Sequence, residues 1–354
     1  MEKKVLILGS GLVAQPIIRY LIGKGLKVTV ASNTPDRAEV MIAGNKNGTN
    51  INWSVEDKKT LDKLISEHDI VVSLLPYAFH LLVAEHALKN KKNMVTTSYV
   101  KPEMQDYDKD AKKAGIIILN ELGLDPGIDH MSAMRIIDNV HKKGGKIKEF
   151  YSICGALPAP EAANNPFKYK FSWSPKGVVM AGNNDAKFLR YGKVVELPTK
   201  LLFRDPFSIE FPEIGRFEIY PNRDSISYID IYGVPETETM YRGTFRYKGW
   251  CEALDAIKHL NLISNDKLNL ENKTYADMLA FLIGAENSRN IREKVKAFLK
   301  NEFTDHAINA IEWLGLFEQK PMNRKEDSSF EVTSDLMIEK MQLGQNERDM
   351  VVMQ

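Results

Sequence analysis

The sequence predicts an α/β protein: a doubly wound parallel sheet plus a second α+β domain with a helical insertion. Three observations predict it. Short apolar runs alternate with helical patterns through the first third of the chain, and a glycine turn spaced GxGxxA joins the first run to the first helical pattern. Beyond residue 127 the pattern changes to alternating, aromatic-rich segments separated by turn residues.

The apolar runs are VLIL (5–8), KVTVA (27–31), DIVVSLL (69–75), NMVTTS (93–98) and GIIIL (115–119), with helix candidates near 12–24, 58–67, 78–90 and 102–114. Runs that are apolar throughout suit strands covered on both faces, which is the situation in a parallel sheet. In the first turn, ILGSGLVAQPII, Gly9 permits the tight bend, Ser10 and Gly11 follow it so that backbone can approach a pyrophosphate, and Ala14 lets the next helix pack closely. The N-terminus of that helix then faces the phosphates with its partial positive charge. Residues 1–127 therefore read as a dinucleotide-binding, Rossmann-type domain.

The end of the second run selects the nucleotide. VASNTPDRAE offers Ser32, Asn33 and Thr34 with Arg37 one turn on, and no carboxylate for a ribose 2′-hydroxyl, so NADP is expected rather than NAD. Asp36 and Arg37 equally fit a solvated helix start with Thr34 as its N-cap. Ligands of doubly wound sheets sit beyond the carboxyl ends of the strands. That rule makes candidates of LLPYAFH, TTSYV and NELGLDPG, with Ser73, Leu75 and Pro76 bordering the nucleotide and Thr97, Ser98 and Tyr99 reaching toward a nicotinamide. NELGLDPGIDH also gathers Asp125, Asp129 and His130, with Pro126 and Gly127 stiffening the turn.

The segments KIKEFYSICGALPAP, GRFEIYPNRDSISYIDIYGV and ETMYRGTFRYKGWCEAL suit a mostly antiparallel sheet, and 250–324 carries helical spacing. The expected division is thus 1–127, then 128–249 with 325–354 as an α+β substrate-binding and dimerisation domain, and 250–324 as a helical insertion. The tail from Arg324 begins as a linker and becomes an amphipathic helix with Leu336, Met337 and Met341 in a core.

Composition narrows the function classes. The 354 residues are 44% apolar, and 48 basic against 47 acidic side chains leave a charge of +1, so no global field draws the chain to nucleic acid or membrane. Cys154 and Cys251 fit neither a disulfide framework nor a metal site, which suits a reduced, cytoplasmic setting. The opening apolar run already serves as a strand, and no later run approaches membrane-spanning length. A small-molecule enzyme without a metal is expected, and a strand-rich domain with one uncovered face suggests a homodimer.

Seven stretches, GSGLVAQP, VVSLLPYAFH, VTTSYVKPEM, NELGLDPGIDH, CGALPAPEAANNPFKYKFSWSPKGV, YPNRDS and RGTFRYKGW, carry a resemblance over nearly the whole chain. Together they resemble the saccharopine dehydrogenase family of the NADP-dependent, L-glutamate-forming type, also called saccharopine reductases. The resemblance implies reversible interconversion of saccharopine with L-glutamate and 2-aminoadipate 6-semialdehyde, using NADP, in the α-aminoadipate route of lysine metabolism. It implies substrate contacts at Ser98, Tyr99, Asp125, Arg223, Thr244, Phe245 and Arg246. It implies NADP contacts at Gly11, Leu12, Val13, Ser32, Asn33, Thr34, Ser54, Val55, Leu75, Thr97, Leu124 and Ser174. Relatives carry Arg at the position of Asn33 and Asp at that of Ser54, two departures that bear on cofactor affinity and preference.

Chemistry agrees with such a substrate. Saccharopine is a secondary amine bearing three carboxylates and needs fixed cationic forks, a role open to Arg223 and Arg246. Arg223 beside Asp224 equally reads as a local ion pair, and Arg246 as a solvated strand residue. Asp125 is placed to hold a protonated amine or iminium by charge, and Tyr99, Asp125 and Cys154 are the titratable candidates for proton handling. His130 reads as a base or, two positions into a helix, as a capping or packing residue. The family continues past the position of Gln354 with a histidine-bearing strand and a segment that returns to the nucleotide domain. Weak or absent turnover is therefore expected of a mature chain of 354 residues. Two other readings are kept: a polyamine-type reductive-amination dehydrogenase, which calls for an acidic pocket, and a non-catalytic NADP(H)-binding protein.

Overall fold

A computed structural model describes residues 2–300 and 302–354. The chain forms two compact units, one ending at Arg135 and one spanning Ile136–Gln354.

The first unit alternates strands and helices: β1 (Lys4–Leu8), α1 (Ala14–Gly23), β2 (Lys27–Ser32), α2 (Pro35–Ile42), β3 (Gly48–Asn52), α3 (Lys58–Ser66), β4 (Ile70–Ser73), α4 (His80–Lys89), β5 (Asn93–Thr96), α5 (Pro102–Gln105), α6 (Asp108–Ala114) and β6 (Ile118–Leu119). All pairings are parallel, in the order β3-β2-β1-β4-β5-β6. Side chains of β1 alternate between two cores. Val5 and Ile7 pack with Ala14 and Ile18 of α1, whereas Leu6 and Leu8 pack with Leu61 of α3 and Val83 and Ala84 of α4. Both faces of this strand are dry, which is why its sequence is apolar without alternation.

Some elements differ from the sequence reading. β3, with the sequence GTNIN, is absent from the apolar runs because it lies at the sheet edge and is only half-buried. The pattern over 102–114 forms two helices, α5 and α6, separated at Asp106–Tyr107. The run 115–119 contributes only two residues to the sheet, with Ile117 left 63% exposed beside it.

Helix α7 (Ile128–Lys142) leads into the second unit. There the elements are β7 (Glu149–Pro158), α8 (Pro175–Ala181), β8 (Ala186–Arg190), β9 (Lys193–Leu197), β10 (Phe207–Phe211), β11 (Gly215–Pro221), α9 (Tyr228–Tyr232) and β12 (Thr239–Tyr247). They continue with α10 (Trp250–His259), β13 (Lys267–Asn269), α11 (Tyr275–Leu282), α12 (Ile291–Phe298), α13 (Asp305–Leu314), β14 (Glu326–Ser328), α14 (Ser329–Lys340) and β15 (Asp349–Met353). The main sheet runs β10-β11-β12-β7-β15, with the β8–β9 hairpin attached through β12. Its central pair, β7 with β12, is parallel, and its other pairs are antiparallel. A parallel pair needs a long crossover, and here everything from α8 to α9 lies between the two strands.

Helices α10, α13 and α14 share one core with this sheet, in which Phe217, Phe245, Trp250, Ile311 and Met337 are buried together. Leu336, Met337 and Met341 are buried there as expected. The chain after α14 then returns as β15, a strand that the sequence reading did not anticipate, antiparallel to β7. Among the described residues no helix is long and apolar enough to cross a membrane.

The β7–β12 contact depends on a missing side chain. A Cβ on Gly155 would stand 2.7 Å from the Phe245 carbonyl oxygen, a backbone atom that cannot swing away. Gly155→Ala is therefore expected to lower stability by about 1–3 kcal/mol, the usual cost of overpacking, read as a drop in the urea midpoint.

Candidate active site

Within the first unit the loops after β1, β2, β4 and β5 all leave the same edge of the sheet, because every strand runs the same way. The strand order reverses between β1 and β4, which is where such sheets bind ligands. The two glycines of the first loop have different reasons to be there. Gly9 has a φ of +101° and donates to the Ala31 carbonyl at 2.9 Å, and a Cβ on it would press on the Leu74 carbonyl at 3.1 Å. Backbone geometry alone demands glycine at that position. Gly11 has no positive φ, and a Cβ on it would meet nothing within 4 Å. No internal packing explains it, so the vacant volume faces outward, as close approach of a pyrophosphate requires. Leu12 and Val13 beside it are about half-exposed, and Ala14 is fully buried where α1 meets the sheet.

At the end of β2 the hydroxyls form a closed cluster. Ser10 Oγ lies 2.8 Å from Ser32 Oγ and 2.7 Å from Thr34 Oγ1, and the Thr34 amide donates to Ser32 Oγ at 3.2 Å. Thr34 thus precedes α2 without a side-chain cap bond, because its hydroxyl is engaged by Ser10. Asn33 and Arg37 are exposed on this rim, and no carboxylate occupies residues 32–35. These residues fit a nucleotide with a 2′-phosphate better than a free ribose diol. Ser54 and Val55 follow β3; Ser54 is exposed and its hydroxyl donates to Glu56. Leu75 and Thr97, at the ends of β4 and β5, are half-buried, as is Leu124.

The loops after β5 and β6 are laced together. The Leu122 amide donates to the Thr96 carbonyl, the Glu121 amide to the Ser98 carbonyl, each at 3.1 Å, and the Val100 amide to Glu121 Oε1 at 2.8 Å. In the following turn the Gly123 amide donates to the Pro126 carbonyl at 2.9 Å, and the Asp125–Pro126 peptide is cis. This lacing brings the Tyr99 hydroxyl to Asp125, where it donates to Oδ1 at 2.5 Å. Two of the expected proton-handling groups are thereby in direct contact. Asp129 instead accepts from the Gly127 amide at 2.7 Å, and His130 Nε2 lies 3.1 Å from Glu121 Oε2.

One feature of this unit escaped the sequence reading. His80, the first residue of α4, is 4% exposed, with Nδ1 2.9 Å from Ser73 Oγ and Nε2 2.8 Å from Ser98 Oγ and 3.0 Å from Thr96 Oγ1. Burial, aided by the nearby Lys101 charge, pulls its pKa down to about 4, so the ring is neutral at pH 7. The only local signal was a histidine in the stretch LLPYAFH, which had no assigned partner.

In the second unit Arg246 is buried rather than solvated, at 4% exposure on β12. Its guanidinium lies over the rings of Tyr169, Trp250 and Tyr220, at 4.8, 5.4 and 5.9 Å from their centroids. Nη1 donates to the Phe245 carbonyl at 2.7 Å, whereas Nε and the nearby Trp250 Nε1 are buried without an acceptor. Among the described residues no carboxylate pairs with this cation. The opposite residue on β11, Glu218, turns its carboxylate to the Gly249 and Cys251 amides at the start of α10, both at 3.0 Å. Burial holds the Tyr169 and Tyr220 phenols above their ordinary range, so they stay neutral beside Arg246. A buried cation with spare donors and an aromatic wall has the chemistry to take an anionic oxygen.

Other candidates in this unit fall into place by register. Cys154 on β7 is buried and faces Thr244 of β12 and Met353 of β15. The Phe245 ring belongs to the core, packed on Phe211 and Phe217, and its carbonyl accepts from Arg246. Arg223 is exposed in the turn after β11 with a φ of +55°, and its carbonyl accepts from the Lys187 amide at 2.9 Å. Such a backbone costs about 1–2 kcal/mol for a non-glycine residue. Its neighbour Asp224 uses Oδ1 to accept from the Ile226 amide at 2.8 Å. Ser174 is exposed at the N-terminus of α8 and makes no side-chain cap bond.

Comparison with known proteins agrees with both units. Residues 5–119 match the family model described as the saccharopine dehydrogenase NADP binding domain, and residues 123–354 match the saccharopine dehydrogenase C-terminal domain. The chain is 41% identical over 363 residues to the Schizosaccharomyces pombe saccharopine dehydrogenase [NADP(+), L-glutamate-forming], covering 99% of this chain and 80% of that one. It is 38% identical to the mitochondrial alpha-aminoadipic semialdehyde synthase of Bos taurus, covering 99% of this chain and 39% of that protein. The apo structure of saccharopine dehydrogenase (L-Glu forming) from Saccharomyces cerevisiae superposes with a TM-score of 0.84 at 37% identity, covering 99% of this chain and 80% of that one. With family models matched across both units and relatives this similar along almost its whole length, the chain belongs to the saccharopine dehydrogenase family.

Proposed function

We infer that this protein is an NADP-dependent oxidoreductase that interconverts saccharopine with L-glutamate and 2-aminoadipate 6-semialdehyde, a step of lysine metabolism. The observation that carries this reading is the match along 99% of the chain to enzymes named for that reaction. The buried, carboxylate-free Arg246 suits a polycarboxylate substrate and disfavours the polyamine alternative, which would want an acidic receptor. A non-catalytic reading is disfavoured by the same relatives, which carry enzyme names.

The nucleotide-binding residues proposed here are Gly9 to Val13 in the first loop, Ser32 to Thr34 after β2, Ser54, Val55, Leu75, Thr97, Leu124 and Ser174. Held by these residues, NADP(H) would supply the hydride chemistry at the carbon beside the substrate's secondary amine. The chain's own residues supply the rest. Asp125 holds the positively charged nitrogen by charge, and Tyr99, bonded to that carboxylate, is placed to hold or move a proton there. Cys154, beside Thr244, is the third proton-handling candidate. Ser98, Arg223, Thr244, the Phe245 carbonyl and Arg246 are the proposed contacts for the substrate's polar groups, with the Arg246 fork taking a carboxylate.

Cytoplasmic residence and a homodimer are part of the same proposal. Two buried cysteines, neither in a disulfide, suit a reducing compartment, and the second unit leaves Tyr151, Val194 and Phe207 exposed on its strands. The nearly balanced charge supports a small-molecule substrate rather than nucleic acid or a membrane surface. Sedimentation equilibrium should return twice the chain mass, and a single-chain mass would remove the dimer.

A spectrophotometric assay should show saccharopine-dependent reduction of NADP exceeding that of NAD, and absence of any saccharopine-dependent signal would sink the assignment. Gly11→Val should leave the melting temperature nearly unchanged, since its side chain enters open space, yet weaken NADPH binding by about tenfold or more, corresponding to at least ~1.4 kcal/mol. Arg246→Met should raise KM for saccharopine by roughly two orders of magnitude while NADPH affinity stays the same, because a desolvated charge-assisted contact is removed.

A further inference from the structure

We propose that His80 is a positioning residue for the reaction: its imidazole, fixed between Ser73 and Ser98, sets the orientation of the Ser98 hydroxyl and anchors the loop that carries Tyr99. The proposal rests on the functional reading above, in which Ser98 and Tyr99 meet the substrate.

The geometry excludes two more familiar roles for a histidine at such a place. A proton relay must end in water, but the ring's Nδ1 side ends at Ser73, which is fully buried, and Thr96 on its other side is fully buried too. A general base must change charge near the working pH, whereas this ring is 4% exposed and shifted down to about 4 by burial and Lys101. What remains is a rigid strut between strand ends. Nδ1 reaches back to the last residue of β4, while Nε2 reaches Thr96 at the end of β5 and Ser98 two residues beyond it.

Ser98 in turn is tied to the next loop. Its carbonyl accepts from the Glu121 amide at 3.1 Å, Glu121 Oε1 accepts from the Val100 amide at 2.8 Å, and between these anchors Tyr99 donates to Asp125 at 2.5 Å. Loss of the strut frees the Ser98 hydroxyl to rotate and lets the first residues of this loop drift. Displacements of this kind are costly for reacting groups even when no contact with the substrate is deleted.

Conservative variants separate this role from simple core packing. Glutamine at residue 80 places its amide where Nε2 stands and retains a bond to Ser98; asparagine reaches only as far as Nδ1 and Ser73; phenylalanine keeps the ring and makes neither bond. His80→Gln should therefore keep most of kcat, while His80→Asn and His80→Phe should lose about tenfold to a hundredfold in kcat/KM for saccharopine, with NADPH affinity unchanged. The midpoints of the pH–rate profile should stay put in every variant. Ser98→Ala should give a similar loss, and the double variant His80→Phe with Ser98→Ala should lose little more than either alone. Wild-type rates in His80→Phe, equal losses in the glutamine and asparagine variants, or a vanished limb of the pH profile would overturn the proposal.

A direct measurement decides the matter if His80→Phe fails to fold or if the wild-type chain does not turn over saccharopine. Nitrogen-15 NMR of the imidazole should show one neutral tautomer from pH 5 to 8, with signals that move in Ser98→Ala. Titration of His80 within that range, or signals indifferent to Ser98→Ala, would refute the strut whatever the substrate proves to be. A missing saccharopine activity together with a fixed tautomer would refute only the functional reading.

Discussion

The first unit depends on one constraint: a parallel sheet must bury both faces, and its strands must all end at the same edge. Burial of Val5 and Ile7 on one side and Leu6 and Leu8 on the other fixes β1 between two layers of helices. Once β1 is fixed, the loops at Gly9, Ser32, Ser73 and Thr96 have nowhere to emerge but side by side. Chemistry-bearing residues from distant parts of the chain are thereby neighbours without any local sequence motif joining them.

The two units differ in the charge their candidate sites hold. The nucleotide unit presents open backbone and neutral hydroxyls: Gly11 leaves its surroundings vacant, Ser10, Ser32 and Thr34 bond one another, and the rim at residues 32–35 carries no negative charge. The sheet unit holds a full positive charge at Arg246 in an aromatic enclosure without a carboxylate of its own. Burying an unpaired cation costs on the order of several kcal/mol, which the faces of Tyr169, Tyr220 and Trp250 offset only in part at about 0.5–2 kcal/mol each. Glu218 lies opposite Arg246 in the sheet, yet its carboxylate is committed to the amides of α10, so the guanidinium keeps its capacity for an external anion.

Buried polar groups divide in the same way between committed and available. His80 has every ring nitrogen engaged, and Asp129 is bound by the Gly127 amide. Arg246 Nε and Trp250 Nε1 have no acceptor. Satisfied networks make a rigid frame, and donors without an acceptor keep hydrogen-bonding capacity to spare.

The sequence by itself determined what depends on periodicity and on single-residue stereochemistry. The apolar runs of β1, β2, β4 and β5, the tight turn at Gly9 and the close packing of Ala14, the missing carboxylate after β2, and the buried face of α14 were all legible, because each is a property of a few adjacent residues. Tertiary structure decided the rest. The edge strand β3 is too polar to stand out, and the parallel pairing of β7 with β12 joins segments that no turn signal connects. Whether Arg246 was solvated or enclosed turned on Tyr169, Tyr220 and Trp250, two of them far away in sequence. The bond between His80 and Ser98 likewise spans 18 residues and exists only because β4 and β5 end side by side. Local patterns record what a residue prefers, while its partner is fixed by long-range packing that no short window of sequence contains.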